Sequence, residues 1–118
     1  PAESHRNKAD HIFVKSDSSF VRVPLGDILF LHADRSYCNI VTEDRTFIQS
    51  VSMNHVYDQI NNKDFVRIHR SHIVNIERVR ELQPWFNGEY VVFLKDGTRL
   101  TLSRGYREKL QERLGRTL

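Results

Sequence analysis

The sequence is poor in the residues that build several common kinds of functional site. Its 118 residues include one cysteine, Cys38, which excludes an internal disulfide framework and fits a reducing compartment. The five glycines do not cluster, so no glycine-rich phosphate loop is predicted. No apolar run approaches the roughly 20 residues that a membrane-spanning helix requires. We therefore expect a cytoplasmic domain that makes no membrane contact.

Charge is present in both signs and is unevenly distributed. The net charge of +3 is too small to indicate a polyanionic partner by itself. Positive charge is concentrated in 67–80, with four Arg and one Glu, and in 99–118, with five Arg, one Lys and two Glu. This distribution favours a surface that faces phosphates, and an ordinary solvated surface is the alternative.

Short apolar stretches separated by turn signals predict a mainly β domain of about eight to ten short strands with two small helices. The dipeptide Asp96-Gly97 is the strongest hairpin signal. Ser52 is a candidate N-cap for a helix that runs to about Ile60 and ends at Asn61-Asn62. Ser103 is a candidate N-cap for a helix over 104–114 that ends at Gly115. The predicted strands cover 11–15, 19–23, 28–32, 37–42, 45–49, 65–69, 73–74, 76–82, 90–94 and 98–102.

The most informative stretch is 65–75, with the sequence FVRIHRSHIVN. Two apolar arms flank four consecutive polar residues at 69–72, and this pattern predicts a tight surface connection anchored in the core at both ends. Arginine offers a planar fork of donors, and His, Ser and Asn offer short donors and acceptors. Such a set suits contacts with phosphates or with base edges.

Two motifs give the chain a family resemblance. The run Arg67-Ile68-His69-Arg70-Ser71 with Val74-Asn75, and Leu102-Ser103-Arg104 after the hairpin, resemble the LytTR DNA-binding domain, an output domain of bacterial response regulators. The resemblance covers about residues 11 to 115. We accordingly divide the chain into a linker or tail at 1–10 and a LytTR-like DNA-binding domain at 11–118.

The resemblance implies an elongated arrangement of several β-sheets that reads DNA through loops in the major groove, without a recognition helix. It implies binding to repeated promoter half-sites of double-stranded DNA, with two domains paired on the DNA. It further implies an N-terminal receiver or other regulatory domain in the parent protein, for which this chain has no room. No cofactor is implied.

The family's base-reading positions match Tyr37 in the 33–38 loop, Arg70 in the central stretch and Arg104 before the last helix. The forks of Arg70 and Arg104 match guanine O6 and N7. Neighbouring candidates for phosphate contacts are Arg35, Ser36, His69, Ser71, Tyr106 and Arg107.

Several residues also have a purely structural interpretation. His69 could hold its turn by a hydrogen bond to a backbone carbonyl, and Tyr37 could be a half-buried strand residue. Asn75 is expected to satisfy backbone groups at a strand break, and Cys38 to be a small apolar strand residue. Core positions are expected for Trp85, Phe86 and Tyr90.

Catalysis and metal binding find little support in the sequence. His69 and His72 lack a neighbouring cysteine or carboxylate, so no metal site is predicted. Ser71 between them lacks an orienting carboxylate and an oxyanion motif, so the chain is not predicted to be an enzyme. The main alternative to DNA binding is a small β protein–protein or peptide interaction module. RNA binding is weaker, because only Tyr37 and Tyr106 are interleaved with basic residues.

Overall fold

The computed structural model describes residues 10–118, so the predicted linker at 1–10 lies, apart from Asp10, outside the described residues. This part of the chain contains ten strands and two α-helices, which confirms the mainly β prediction. The strands are β1 (His11–Ser16), β2 (Ser19–Pro24), β3 (Ile28–Asp34), β4 (Tyr37–Thr42), β5 (Thr46–Gln49), β6 (Phe65–His69), β7 (His72–Asn75), β8 (Val79–Pro84), β9 (Tyr90–Leu94) and β10 (Arg99–Leu102). The helices are α1 (Met53–Ile60) and α2 (Arg107–Leu114).

Three antiparallel sheets make up the fold, which measures 44 × 38 × 24 Å. The largest has five strands in the order β5-β4-β3-β7-β6, and β1-β2 and β10-β9-β8 form the other two. Within the large sheet β3 pairs with both β4 and β7. The β3–β4 and β6–β7 turns therefore leave the sheet at the same end.

Two hydrophobic cores lie on opposite faces of the five-stranded sheet. Alternation sends Phe65 of β6 into one core and Val66 and Ile68 into the other. The first core contains residues of the β1-β2 hairpin and α1, and the second contains residues of β9, β10 and α2. Because both faces are covered, β3 is a nearly continuous apolar run.

The predicted turn and cap signals largely hold. The Ser52 hydroxyl accepts a hydrogen bond from the His55 amide at 3.0 Å and caps α1. Asn61 ends α1 in the left-handed conformation, at φ 43°. Gly97 in the β9–β10 hairpin has φ 94°, a value that favours glycine over any other residue.

Two element boundaries differ from the prediction. The strand expected at 76–82 begins only at Val79, because the Asn75 side chain accepts from the Glu77 amide at 3.1 Å and closes a 3-10 turn at Ile76–Arg78. The Ser103 side chain caps no helix. Its amide donates to the carbonyl of Ile68 at 2.8 Å, a 3-10 turn follows, and α2 starts at Arg107.

The core positions predicted for Trp85 and Phe86 are wrong. Their side chains are 60% and 66% exposed, because they lie in the β8–β9 turn, beyond the edge of the second core. Tyr90 at the start of β9 is half-buried against that core, as predicted. None of the helices at 10–118 is long and apolar enough to span a bilayer.

Candidate nucleic-acid interface

Three segments that the sequence analysis singled out meet at one end of the domain. The turn Arg35–Ser36 lies beside the turn Arg70–Ser71, and the Ala33 amide donates to the Ser71 carbonyl at 2.9 Å. The 3-10 segment Arg104–Tyr106 lies near β6, because the residue before it bonds to Ile68. We call these three segments the loop end. They bring together residues that are far apart in the sequence.

The loop end presents exposed cations and an exposed aromatic ring. Arg35, Arg70 and Arg104 are all exposed, and Tyr37 is 47% exposed at the start of β4. Among residues 10–118, none of the three guanidinium groups has a carboxylate oxygen within 4 Å. Their charge is therefore available to an anionic ligand.

The first two turns also line a shared open groove of about 440 Å³. Arg35, Ser36 and Tyr37 form one side of the groove, and Arg67 and Arg70 contribute from β6 and its turn. Residues 50–54 before and within α1 complete the lining. The left-handed backbone at Arg35, φ 59°, keeps the β3–β4 connection to two residues. This tight turn places Ser36 and Tyr37 at the rim.

Arg67 has a role that the sequence analysis missed. It is half-buried, and its Nη1 donates to the carbonyl of Arg70 at 2.8 Å. Its Nη2 donates to the Asn54 side chain in α1. Arg67 thus fixes the turn that carries Arg70 against the helix. The alternation along β6 places Arg67 on the face of Phe65, but nothing in the sequence identifies Asn54 as its partner.

His69 supports the same turn from the other side. Its Nδ1 accepts a hydrogen bond from the Ser71 amide at 3.1 Å. A bond from the ring to a backbone carbonyl, as the sequence suggests, would make His69 the donor. In the structure the ring is the acceptor, and the backbone amide of Ser71 donates. Since Nδ1 accepts, the ring proton of neutral His69 is on Nε2.

The side chains of the third segment, and of Arg107 at the start of α2, are held in different ways. Arg104 is exposed and its side-chain stem lies against Gly88. Tyr106 is half-buried against the second core. Arg107 is also half-buried, donates from Nη2 to the Leu118 carbonyl at 2.9 Å, and lies 5.5 Å from the Tyr90 ring centroid. Of the three residues, Arg104 projects furthest into solvent.

A cluster of three histidines lies directly behind the loop end. His32 and His72 are paired across β3 and β7, and their rings stack at 4.8 Å. The His69 ring lies 5.5 Å from that of His72. Burial lowers the pKa of His72 to about 4, and the neighbouring His32 and His69 contribute to the shift. His72 is therefore neutral at physiological pH.

This depressed pKa predicts a pH-dependent stability. The unfolded chain binds a proton at His72 near its ordinary pKa of 6.5, whereas the folded chain binds it only near 4, so stability is lost as pH falls through that window. We expect a loss of about 1 kcal/mol between about pH 7 and about pH 5, allowing for solvent screening. Urea unfolding at the two pH values would measure it.

The matched variants for this prediction are His72→Gln and His55→Gln, the second at an exposed position of α1. The loss of stability between about pH 7 and about pH 5 should be about 1 kcal/mol smaller in His72→Gln than in the wild type. In His55→Gln it should equal that of the wild type. An identical loss in the wild type and in His72→Gln would contradict the prediction.

Cys38 lies fully buried in β4, and burial raises the pKa of its thiol to about 11. A thiol that stays protonated is a poor nucleophile, which agrees with the apolar strand role predicted for it. Within residues 10–118, no group of three or more His, Cys, Asp or Glu side chains is arranged to hold a metal ion.

Comparisons with known proteins place this arrangement in a family. The family model of the LytTr DNA-binding domain matches residues 18–115. The Bacillus subtilis sensory transduction protein LytT is 34% identical over 96 residues, which cover 81% of this chain and 40% of that protein. The transcriptional regulatory protein YpdB of Escherichia coli K12 is 28% identical over 96 residues, 81% of this chain and 39% of its own. This chain thus spans about two fifths of the length of these relatives.

A solved structure gives the same fold. The LytTr DNA-binding domain of a response regulator from Bacillus cereus superposes with a TM-score of 0.80 at 21% identity. The superposition covers 91% of this chain and 98% of that one. With the family model matching most of its length, the chain belongs to the LytTR family of DNA-binding domains.

Proposed function

We propose that this chain is the sequence-specific DNA-binding output domain of a bacterial two-component transcription regulator. The observation that carries the proposal is the loop end, where three exposed arginines with no carboxylate partner among residues 10–118 project from three neighbouring segments. Phosphates attract such a surface without regard to sequence, and the arginine fork can also distinguish bases.

The proposed roles follow the exposure of each side chain. Arg70 and Arg104 read guanine through O6 and N7 in the major groove, and Tyr37 contacts a base edge from the rim of the groove. The six neighbouring candidates contact phosphates. Arg35 and Ser36 do so from exposed positions, and the half-buried ones at the margin of the surface are His69, Ser71, Tyr106 and Arg107.

The remaining parts of the proposal concern the parent protein. Residues 11–118 are the DNA-binding unit, and residues 1–10 link it to an N-terminal receiver or other regulatory domain. Two such domains occupy adjacent half-sites of a promoter. The protein is cytoplasmic, and this domain contributes neither catalysis nor membrane contact. These statements rest on family membership and on relatives that are more than twice as long as this chain.

The test is selection of bound sequences from a pool of random duplexes, at about 50 mM and about 200 mM salt. We expect enrichment of a repeated motif and a steep loss of affinity at the higher salt, because several phosphate contacts release counterions. Arg45→Ala is the matched control, since Arg45 is exposed in the β4–β5 turn, at the opposite end of the five-stranded sheet.

Retention of the motif by Arg45→Ala and its loss in Arg70→Ala would support the proposal. No enrichment, with weak retention of all sequences, would overturn it and favour an interaction module that binds a peptide or protein.

A further inference from the structure

The β8–β9 turn carries two exposed aromatic side chains that the proposed function does not use. Trp85, the only tryptophan of the chain, and Phe86 are 60% and 66% exposed. Their ring centroids lie 4.7 Å apart at an interplanar angle of 58°. Single exposed apolar residues are common on protein surfaces, but a contiguous exposed aromatic pair is typical of a binding site.

The turn that holds this aromatic pair is closed by its own backbone. The Trp85 amide donates to the Glu89 carbonyl, and the Glu89 amide donates to the Phe86 carbonyl, both at 2.9 Å. Asn87 and Gly88 between them have left-handed backbones, with φ 55° and φ 79°. A turn fixed in this way presents the aromatic pair without a large ordering cost on binding.

The turn that carries the aromatic pair lies next to Arg104. A side-chain carbon added at Gly88 would lie 3.1 Å from Cδ and 3.3 Å from Cγ of Arg104. It would also lie 3.4 Å from Nη1 of Arg107. The missing side chain at Gly88 therefore lets the stem of Arg104 lie along the turn. The turn that carries the aromatic pair therefore adjoins the third segment of the loop end.

We propose that Trp85 and Phe86 contact DNA beside the base pair that Arg104 reads, and this inference rests on the proposed function. The thymine methyl group is the apolar feature that base pairs present to a protein side chain in the major groove. An exposed aromatic pair near an arginine that has no carboxylate partner among residues 10–118 suits DNA, which combines apolar edges with phosphate charge. A protein partner would require an interface of about 800 Å² on each side, and two side chains supply only part of that area.

Because Trp85 is the sole tryptophan, its fluorescence reports on this surface alone. We would titrate the domain with the selected duplex, and with a scrambled duplex at about 50 mM salt, and follow binding by anisotropy of labelled DNA. In the same samples, acrylamide quenching measures the accessibility of Trp85. The expected result is a quenching constant about threefold lower at saturation, since direct contact with DNA excludes the quencher.

Alanine variants provide the second readout. Trp85→Ala and Phe86→Ala are each expected to weaken binding to the selected duplex by about fivefold to tenfold. The salt slope should stay unchanged, because an apolar contact neutralises no phosphate. Phe13→Ala is the matched control, a 55% exposed aromatic on β1, on the opposite side of the five-stranded sheet, and it should bind as the wild type does. Both substituted residues are exposed, so folding should be retained.

The outcomes separate the two proposals. DNA binding with unchanged quenching and with wild-type affinity in both variants would overturn the aromatic contact and leave the proposed function standing. Such a result would favour a protein partner for the aromatic pair. Binding of neither duplex would overturn both proposals. If the variants lose affinity but quenching is unchanged, the aromatic pair only positions Arg104, and direct contact is again overturned.

Discussion

Arg70→Ala is expected to weaken binding to the selected duplex by about 10- to 100-fold and binding to a scrambled duplex by only about threefold. A bidentate arginine–guanine contact contributes about 1–3 kcal/mol of discrimination against other bases, whereas a lost phosphate contact weakens all sequences alike. Arg70 suits the first role, because its turn is held by Arg67 and His69. A turn fixed on both sides limits the conformational freedom that Arg70 loses on binding. Titration of both duplexes by anisotropy would measure the two affinities.

The lysine variant separates charge from geometry. Arg70→Lys keeps the positive charge but lacks the planar fork. We expect it to retain the salt slope and to lose most of the discrimination. Arg104→Ala and Arg104→Lys should have the same effects as the corresponding Arg70 variants, at a second position of the motif. The control Arg45→Ala should change neither the affinity for the selected duplex nor that for the scrambled one. If Arg70→Ala weakened the selected and scrambled duplexes equally, Arg70 would be a phosphate contact and base reading would have to lie elsewhere.

The elements that the sequence predicted well are those determined by local signals. Asp96-Gly97 closes a hairpin, Ser52 caps α1, and Asn61 and Gly115 end their helices in the left-handed conformation. Each of these choices depends on the φ preference or hydrogen bonding of one or two residues. The 3-10 turn after Asn75 was missed, because alternating residues at 76–82 fit a strand until the Asn75 side chain captures the Glu77 amide.

The candidate site was predicted only in part, because local signals do not identify partners that are distant in sequence. The polar residues at 69–72 indicated a surface turn, and the motif predicts that Arg70 among them reads a base. Partners distant in sequence could not be found in this way, as with Asn54 for Arg67 and His32 for His72. The position of Trp85 shows the same limit. Aromatic composition favours the core, but the β8–β9 turn extends past the edge of the second core.

Asn75→Asp is expected to destabilise the fold more than any surface substitution, by about 3–5 kcal/mol at neutral pH. Asn75 is 2% exposed. Its Nδ2 donates to the carbonyls of Ile28 at 2.9 Å and Leu25 at 3.4 Å, and its Oδ1 accepts from the Glu77 amide. An aspartate of the same shape would keep the acceptor but would place a buried negative charge against two carbonyl oxygens.

The pH dependence of this variant distinguishes charge from lost hydrogen bonds. Burial beside two carbonyls should raise the pKa of the new carboxyl in the folded state, so Asn75→Asp should regain stability, relative to the wild type, as pH falls towards about 5. Asn75→Ala should instead lose about 2–4 kcal/mol at every pH, because it removes the three hydrogen bonds that the Asn75 side chain makes to the Ile28 and Leu25 carbonyls and the Glu77 amide. The Leu25 carbonyl keeps only the bond from the Ile28 amide. Asn39→Ala is the control, since the Asn39 side chain makes no hydrogen bond within residues 10–118. Urea unfolding would measure the free energy of unfolding of all three variants.

If Asn75→Asp were as stable as the wild type at neutral pH, the three hydrogen bonds would not anchor the strand break. The connection between β7 and β8 would then depend on apolar packing alone.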